Sequence, residues 1–322
     1  MTDLRQNIPV LVLIGPTAVG KTAISLEIAE RWNAEIISGD SMQVYRGMDI
    51  GTAKATPEER ARIRHHLIDI RDPDEPYSVS DFQKMAREAI ADIHSRGKLP
   101  FIVGGTGLYI EAACYDFRFT SAGVDHRLRE ELRRVAETEG PEALFARLRQ
   151  ADPETAERLH PNDVKRVIRA LEIHAATGIP LSRHLAGQSR RPLYDLCIIC
   201  LTMDRQKLYK RIEQRVDQML EQGLVDEVRA LLARGYTRDM VSMQGLGYKE
   251  IAEYLEGLCT LEEAVERIKR DTRRFAKRQL SWFRHMRGVH WVDVTDEERM
   301  ASHLREIHAI IAGMSGTRGE YV

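Results

Sequence analysis

The stretch VLVLIGPTAVGKTAIS, residues 10–25, decides the fold class. Its apolar run, residues 10–14, reads as a short buried strand, and residues 22–31 read as a helix. Between them Gly15, Gly20, Lys21 and Thr22 fit G-x-x-x-x-G-K-[ST], inside the strand–turn–helix frame that this motif requires. Glycines let successive backbone N–H groups turn inward, and the helix N-terminus adds positive potential. Lys21 brings a point charge to a terminal phosphate, and the Thr22 hydroxyl can ligate a divalent cation. The loop binds phosphate. Which phosphate, the motif does not say.

Outward from the loop, strands and helices alternate. Residues 34–38 (AEIIS) form a strand that enters the polar turn Gly39-Asp40-Ser41, and residues 65–70 (HHLIDI) are a candidate short strand. Residues 80–94 have helical periodicity, and residues 99–105 (LPFIVGG) give a further strand ending in glycines. This alternation predicts an α/β fold: a parallel sheet flanked by helices, with ligands at the carboxyl ends of the strands. From about residue 124 the chain becomes charged and helical, punctuated by Pro141, Pro153 and Pro161, until residues 193–201 restore a strand. The expected organisation is a first core part at 1–120, an inserted all-helical domain at 121–194, and a mostly helical second core part at 195–322. That last part closes with a candidate strand at 289–294 and a final helix.

Composition narrows the partners. The chain has 322 residues, 30% of them charged, with a net charge of −1, so no overall electrostatic footprint announces a nucleic acid or a membrane. No apolar run approaches the roughly 18 residues needed to span a bilayer, and the N-terminus lacks a signal peptide's layout. Cys114, Cys197, Cys200 and Cys259 are too scattered for a disulfide framework. The CIIC pair lies in an apolar strand without a second Cys or His pair at zinc spacing, although a redox or zinc role stays open. A reduced, cytoplasmic, membrane-free protein is expected.

Several residues could carry chemistry. Asp40 follows the second strand, where an acid opposite a phosphate loop serves as base or metal partner, or else merely caps its own turn. The third strand ends in Gly104-Gly105-Thr106-Gly107, with no acid of the kind nucleotide hydrolases use to hold Mg²⁺. Thr106 offers a hydroxyl, and its glycines allow close approach of a ligand or are needed for packing. Arg211 and Arg215, following Arg205, share a helix face: a clamp for pyrophosphate, or more commonly a solvated charged face. Residues 265–288 hold nine Lys or Arg against two acids, with Phe275, Trp282 and Phe283 interleaved. That pattern suits a nucleic-acid backbone or an amphipathic helix packing its aromatics inward.

Taken together, the chain resembles the bacterial tRNA isopentenyltransferase (tRNA dimethylallyltransferase) family. The matching stretches run in order: GPTAVGKT, SGDSMQVYRGMDIGTAK, HHLIDIRDPDEPYSVSDF, LPFIVGGTGLY, RLHPNDVKRVIRALEI, RIEQRVDQMLEQGLVDEV, QGLGYKE and TRRFAKRQLSWFR. Gly39 departs from the Ala or Val of many members, a change expected to be tolerated, and the zinc finger of eukaryotic relatives is absent. The resemblance implies that the loop holds the diphosphate of dimethylallyl diphosphate, a leaving group. The acceptor would be N6 of the adenosine 3′ of a tRNA anticodon, flipped into a channel through the protein. Asp40 would be the base, and Thr106 would stabilise the reacting centre. Gly15, Thr17, Ala18, Gly20, Lys21, Thr22, Arg211 and Arg215 would hold the diphosphate, with Mg²⁺ bridging through Thr22.

The resemblance further implies tRNA contacts at Asp40, Ser41, Met42, Gln43, Thr106 and Arg129. The runs Lys165, Arg166, Val167, Ile168, Arg169 and Gln244, Gly245, Leu246, Gly247, Tyr248, Lys249 would add to them. The helical insertion would grip the anticodon stem, and the protein would act as a monomer. The competing readings are a small-molecule kinase, an adenylate isopentenyltransferase acting on free AMP, and a non-enzymatic tRNA-binding protein. The kinase lacks its acid on the third strand. The AMP enzyme has little need of the insertion, and a mere binder has no need of Lys21, Thr22 and Asp40 together.

Overall fold

Six strands define the sheet: β1 (Pro9–Ile14), β2 (Ala34–Ser38), β3 (His65–His66), β4 (Leu99–Gly104), β5 (Asp195–Thr202) and β6 (Val289–Asp293). All pairings are parallel, and the order is β3-β2-β4-β1-β5-β6. The structure, a computed structural model, describes residues 8–119, 123, 125–189 and 191–314. By contact pattern the chain divides into two compact units. One runs to Tyr115 and resumes at Pro192; the other is Asp116–Arg191.

β1 is buried on both faces, as its unbroken apolar run requires. Leu11 and Leu13 join the cluster under the phosphate-loop helix Lys21–Arg31 and the last helix Met300–Ala312. Val10, Val12 and Ile14 join the opposite cluster, with Phe82 and Ile90 of the helix Val79–Ser95 and Ile110 of Gly107–Cys114. Each such side chain taken out of water stabilises the fold by about 1.5–3 kcal/mol before entropy is counted. Ser78 and Asp81 form a capping box that fixes the start of Val79–Ser95.

The strand expected at residues 65–70 shrinks to two residues. Leu67 and Asp69 adopt left-handed φ of 62° and 55°, which cannot continue a ladder. The Asp69 carboxylate is fixed there by Lys54 and Arg60, both at 2.6 Å. Cys197 and Cys200 face opposite sides of β5 and are deeply buried, so the CIIC pair cannot converge on one metal or one disulfide. Burial pushes both thiols up to about 12. Among the described residues, no helix is long and apolar enough to cross a membrane.

Helices Arg205–Glu221, Leu224–Ala233, Tyr248–Leu255 and Leu261–Phe283 pack with Val44, Tyr45 and Met48 in a third cluster beside the sheet. The unit Asp116–Arg191 has its own core of Leu132, Leu144, Phe145, Leu148 and Val167. Pro141 and Pro153 each open a helix there, where proline's missing N–H costs nothing.

Candidate active site

The phosphate loop leaves β1 through Gly15 and Pro16 and turns into its helix at Gly20, whose φ of 101° only glycine adopts without strain. Lys21 Nζ donates to the Gly15 and Pro16 carbonyls at 2.9 and 2.8 Å, which curls its side chain over the loop. Burial, then the Arg215 charge, lowers the Lys21 ammonium to about 8, with Asp40 opposing them. Thr22 follows at the start of the helix, half-buried and facing the same cavity.

That cavity, of about 510 Å³, is lined by Thr17, Ala18, Gly20, Lys21 and Thr22 on the loop side and by Arg211, Arg215 and Gln218 opposite. The two arginines of one helix face therefore differ. Arg215 is enclosed, forms no ion pair among the described residues, and has its pKa lowered by burial and by Arg211. Arg211 also faces the cavity but donates to the exposed Glu297 at 3.2 Å. The solvated-face reading thus fails for Arg215 and half holds for Arg211. Arg205 stacks over Tyr209 outside both cavities.

A second cavity, of about 360 Å³, shares Thr17, Ala18, Asp40, Thr52, Arg215 and Phe275 with the first. Thr106, Ser41, Met42, Gln244, Gly245, Leu246, Gly247 and Tyr248 line it. Residues from three separated stretches, singled out in the sequence for RNA, thus surround one space that meets the phosphate-side cavity at Asp40. Gln43 instead faces the first cavity, bonding Ser38 and the Thr52 and Ala53 carbonyls, while Lys249 lines neither.

Asp40 caps its own turn, and one of its oxygens is left over from that role. Oδ1 accepts from the Met42 N–H at 2.8 Å and the Gln43 N–H at 3.4 Å, closing an Asx turn. No hydrogen bond engages Oδ2 among the described residues, so that oxygen is available to a ligand.

The glycines around Thr106 are required by packing, and Gly104 and Gly105 also line the phosphate-side cavity. A Cβ on Gly104 would overlap the Gly39 backbone; on Gly105, Gln279 Nε2; on Gly107, the Trp282 ring. Gly39 has its own constraint: a Cβ there would lie 2.8 Å from Ile110 Cδ1, so larger residues need that flexible side chain to shift. Thr106 itself keeps a half-buried hydroxyl that makes no capping bond to the following helix.

Two residues went unnoticed in the sequence. Gln279 accepts from the Thr17 N–H and donates to the Gly105 carbonyl, both at 2.9 Å. Glu227 accepts from the backbone N–H groups of Asp49, Ile50 and Gly51 and, at 2.5 Å, from the Tyr248 hydroxyl. The signal was a polar residue inside an otherwise apolar helix face, as at Gln279 beside Ala276 and Phe283.

In the unit Asp116–Arg191, Lys165 and Arg166 are exposed and Arg169 half-exposed, but Val167 and Ile168 are core residues. Their side chains serve that core, which leaves the charged side chains of the same helix to face solvent. Arg129 is engaged as well, donating through Nε and Nη2 to the buried Glu172 at 2.5 and 2.8 Å.

A phosphate loop whose cations share a cavity with a carboxylate that keeps one oxygen unengaged, with no acid on β4 of the kind nucleotide hydrolases use, defines an α/β group-transfer site. The IPP transferase family model matches residues 43–286. The chain is 52% identical over 304 residues to the tRNA dimethylallyltransferase of Geobacillus thermodenitrificans, covering 94% of this chain and 96% of that one. It is 52% identical over 313 residues to the tRNA dimethylallyltransferase of Bacillus subtilis, covering 97% and 99%. Among solved structures, the tRNA isopentenylpyrophosphate transferase of Bacillus halodurans matches with TM-score 0.72 and 48% identity, over 98% of each chain. A eukaryotic dimethylallyltransferase acting on tRNA matches with TM-score 0.81 and 32% identity, over 96% of this chain and 80% of that one. The chain belongs to the IPP transferase family, the tRNA dimethylallyltransferases.

Proposed function

We propose that the protein transfers a dimethylallyl group from dimethylallyl diphosphate to N6 of the adenosine 3′-adjacent to the anticodon of a tRNA, releasing diphosphate. The observation that carries this reading is Asp40, shared by a cationic phosphate-side cavity and a second cavity of a size to take a base.

The chemistry follows from those walls. The allylic carbon–oxygen bond breaks as the N6–carbon bond forms, its electron pair leaving with the diphosphate. Lys21, Arg215 and Arg211 face the space where that charge grows, in an enclosed site where fixed cations act strongly. Asp40 Oδ2 takes the proton from N6, while Oδ1 holds the carboxylate in place through the turn. Thr106 presents its hydroxyl on the base side.

A magnesium ion fits this donor set. Mg²⁺ keeps most of its water and takes few protein ligands alongside substrate phosphates, and Thr22 supplies a hydroxyl at the phosphate-side cavity. Bound there it would neutralise the departing diphosphate. No cluster of three acidic, His or Cys side chains able to hold a metal by itself exists among the described residues. The exposed Lys165 and Arg166 and the outer face of Leu261–Phe283 supply charge for the RNA backbone. The protein acts as a monomer in the cytoplasm, where its tRNA substrate is found.

The test is label transfer from radiolabelled dimethylallyl diphosphate with Mg²⁺, offering an anticodon stem-loop with three adenines or free AMP. Label on the stem-loop alone is expected. Label on AMP alone, or tight ATP binding without transfer, would overturn the reading.

A further inference from the structure

We propose that Gln279 is a positioning residue that sets the spacing between the phosphate loop and Thr106. This inference rests on the transfer reading of that site. Three segments remote in sequence meet at one amide. Oε1 accepts from the Thr17 N–H of the loop, and Nε2 donates to the carbonyl of Gly105, the residue before Thr106. Both bonds measure 2.9 Å, and Gln279 is only 6% exposed.

The two bonds have opposite polarity, so the side chain must carry one donor and one acceptor at the same reach. Glutamine does. Glutamate would set an oxygen against the Gly105 carbonyl, and asparagine is one methylene short of spanning the gap. The contact is tight from the other side too, since a Cβ on Gly105 would overlap Nε2. Thr106 is otherwise placed only through its backbone, its N–H donating to the Gly39 carbonyl at 3.4 Å. Past the end of the ladder that pairs Ile14 with Gly104, this amide ties the diphosphate cradle to the residue before the hydroxyl that faces the base.

Packing alone does not account for a buried amide here. Ala276 and Phe283 already supply the apolar contacts of this helix face. An apolar residue at 279 would fill the space while leaving the Thr17 N–H and the Gly105 carbonyl unpaired.

The experiment uses the full chain, with label transfer by the unaltered protein established first. Gln279→Met keeps the volume and removes both bonds. Its kcat is expected to fall on the order of tenfold to a hundredfold, as reacting groups lose alignment. Its KM for dimethylallyl diphosphate should rise severalfold, while tRNA affinity stays within about twofold. A residue that only packs would lower the melting temperature and leave kcat and both KM values unchanged below it; that result overturns the proposal. Should Gln279→Met fail to fold by circular dichroism, Gly105→Ala expels the same amide from the opposite side. A folded Gly105→Ala with unaltered kcat and donor KM would overturn the proposal equally. Absence of transfer by the unaltered protein overturns the functional reading itself, and is told apart because it needs no variant.

Discussion

In the proposed mechanism Asp40 divides its two oxygens, Oδ1 holding the turn and Oδ2 taking the proton, which separates fold from catalysis. Asparagine keeps an Oδ1 that accepts from Met42 and Gln43, so Asp40→Asn preserves the turn and removes only the base. Turnover in that variant should fall by about a hundredfold or more, with RNA affinity and melting temperature close to the parent. Unchanged turnover in single-turnover transfer assays would take Asp40 out of the mechanism. Lys21 adds a prediction in pH. Burial holds its ammonium near 8, so the charge is present below that value and lost above it. Affinity for inorganic diphosphate, read by calorimetry, should therefore weaken as pH rises from about 7 to 9. Lys21→Gln should flatten that dependence.

At the scale of elements, the Glu35 cluster ties the sheet together. Glu35 on β2 meets Arg96 in a bidentate pair at 2.6 Å, His66 of β3 at 2.7 Å and Lys98 at 3.0 Å, with its side chain only 3% exposed. The Arg96 bonds, helped by His66 and Lys98, outweigh burial and hold this carboxyl far below the usual range. A carboxyl lowered in the folded state contributes stability that is full above its unfolded value and fades as pH falls toward the folded one. Urea unfolding should accordingly show stability dropping below about pH 4.5, and Glu35→Gln should be less stable at neutral pH with a shallower acid limb.

Elements also show what could be read in advance. The phosphate loop was legible because every residue that makes it lies within one short stretch. The glycine turn after β4 was not, because its glycines answer to Gly39, Gln279 and Trp282, and distance in sequence hides those partners. The alternatives for residues 265–288 turn out compatible: Leu261–Phe283 buries Phe283 and Ala276, and turns Arg270, Arg274, Lys277 and Arg278 to solvent. β3 is shorter than the candidate strand at 65–70 because nothing in HHLIDI signals that Leu67 and Asp69 turn left-handed.

Over the whole molecule, charge cancels to −1, so attraction to RNA must come from local surfaces rather than from a general field. With about four phosphate contacts, tRNA affinity should drop roughly a hundredfold between about 50 and 200 mM salt. A flat response in filter binding would exclude the exposed basic residues as backbone contacts. The α/β class and the order of strands along the chain were legible from alternation, but the order across the sheet was not. β1 sits between β4 and β5, which arrive far later in the chain. That arrangement bears on biosynthesis. The most apolar strand leaves the ribosome with neither neighbour yet made, and its second edge stays open until residues beyond the whole unit Asp116–Arg191 have been translated. The nascent chain therefore carries a sticky, half-paired edge while that later unit, whose core draws only on its own residues, can already close. Holdase chaperones acting during translation should find their main target on the first hundred residues rather than on the helices that follow.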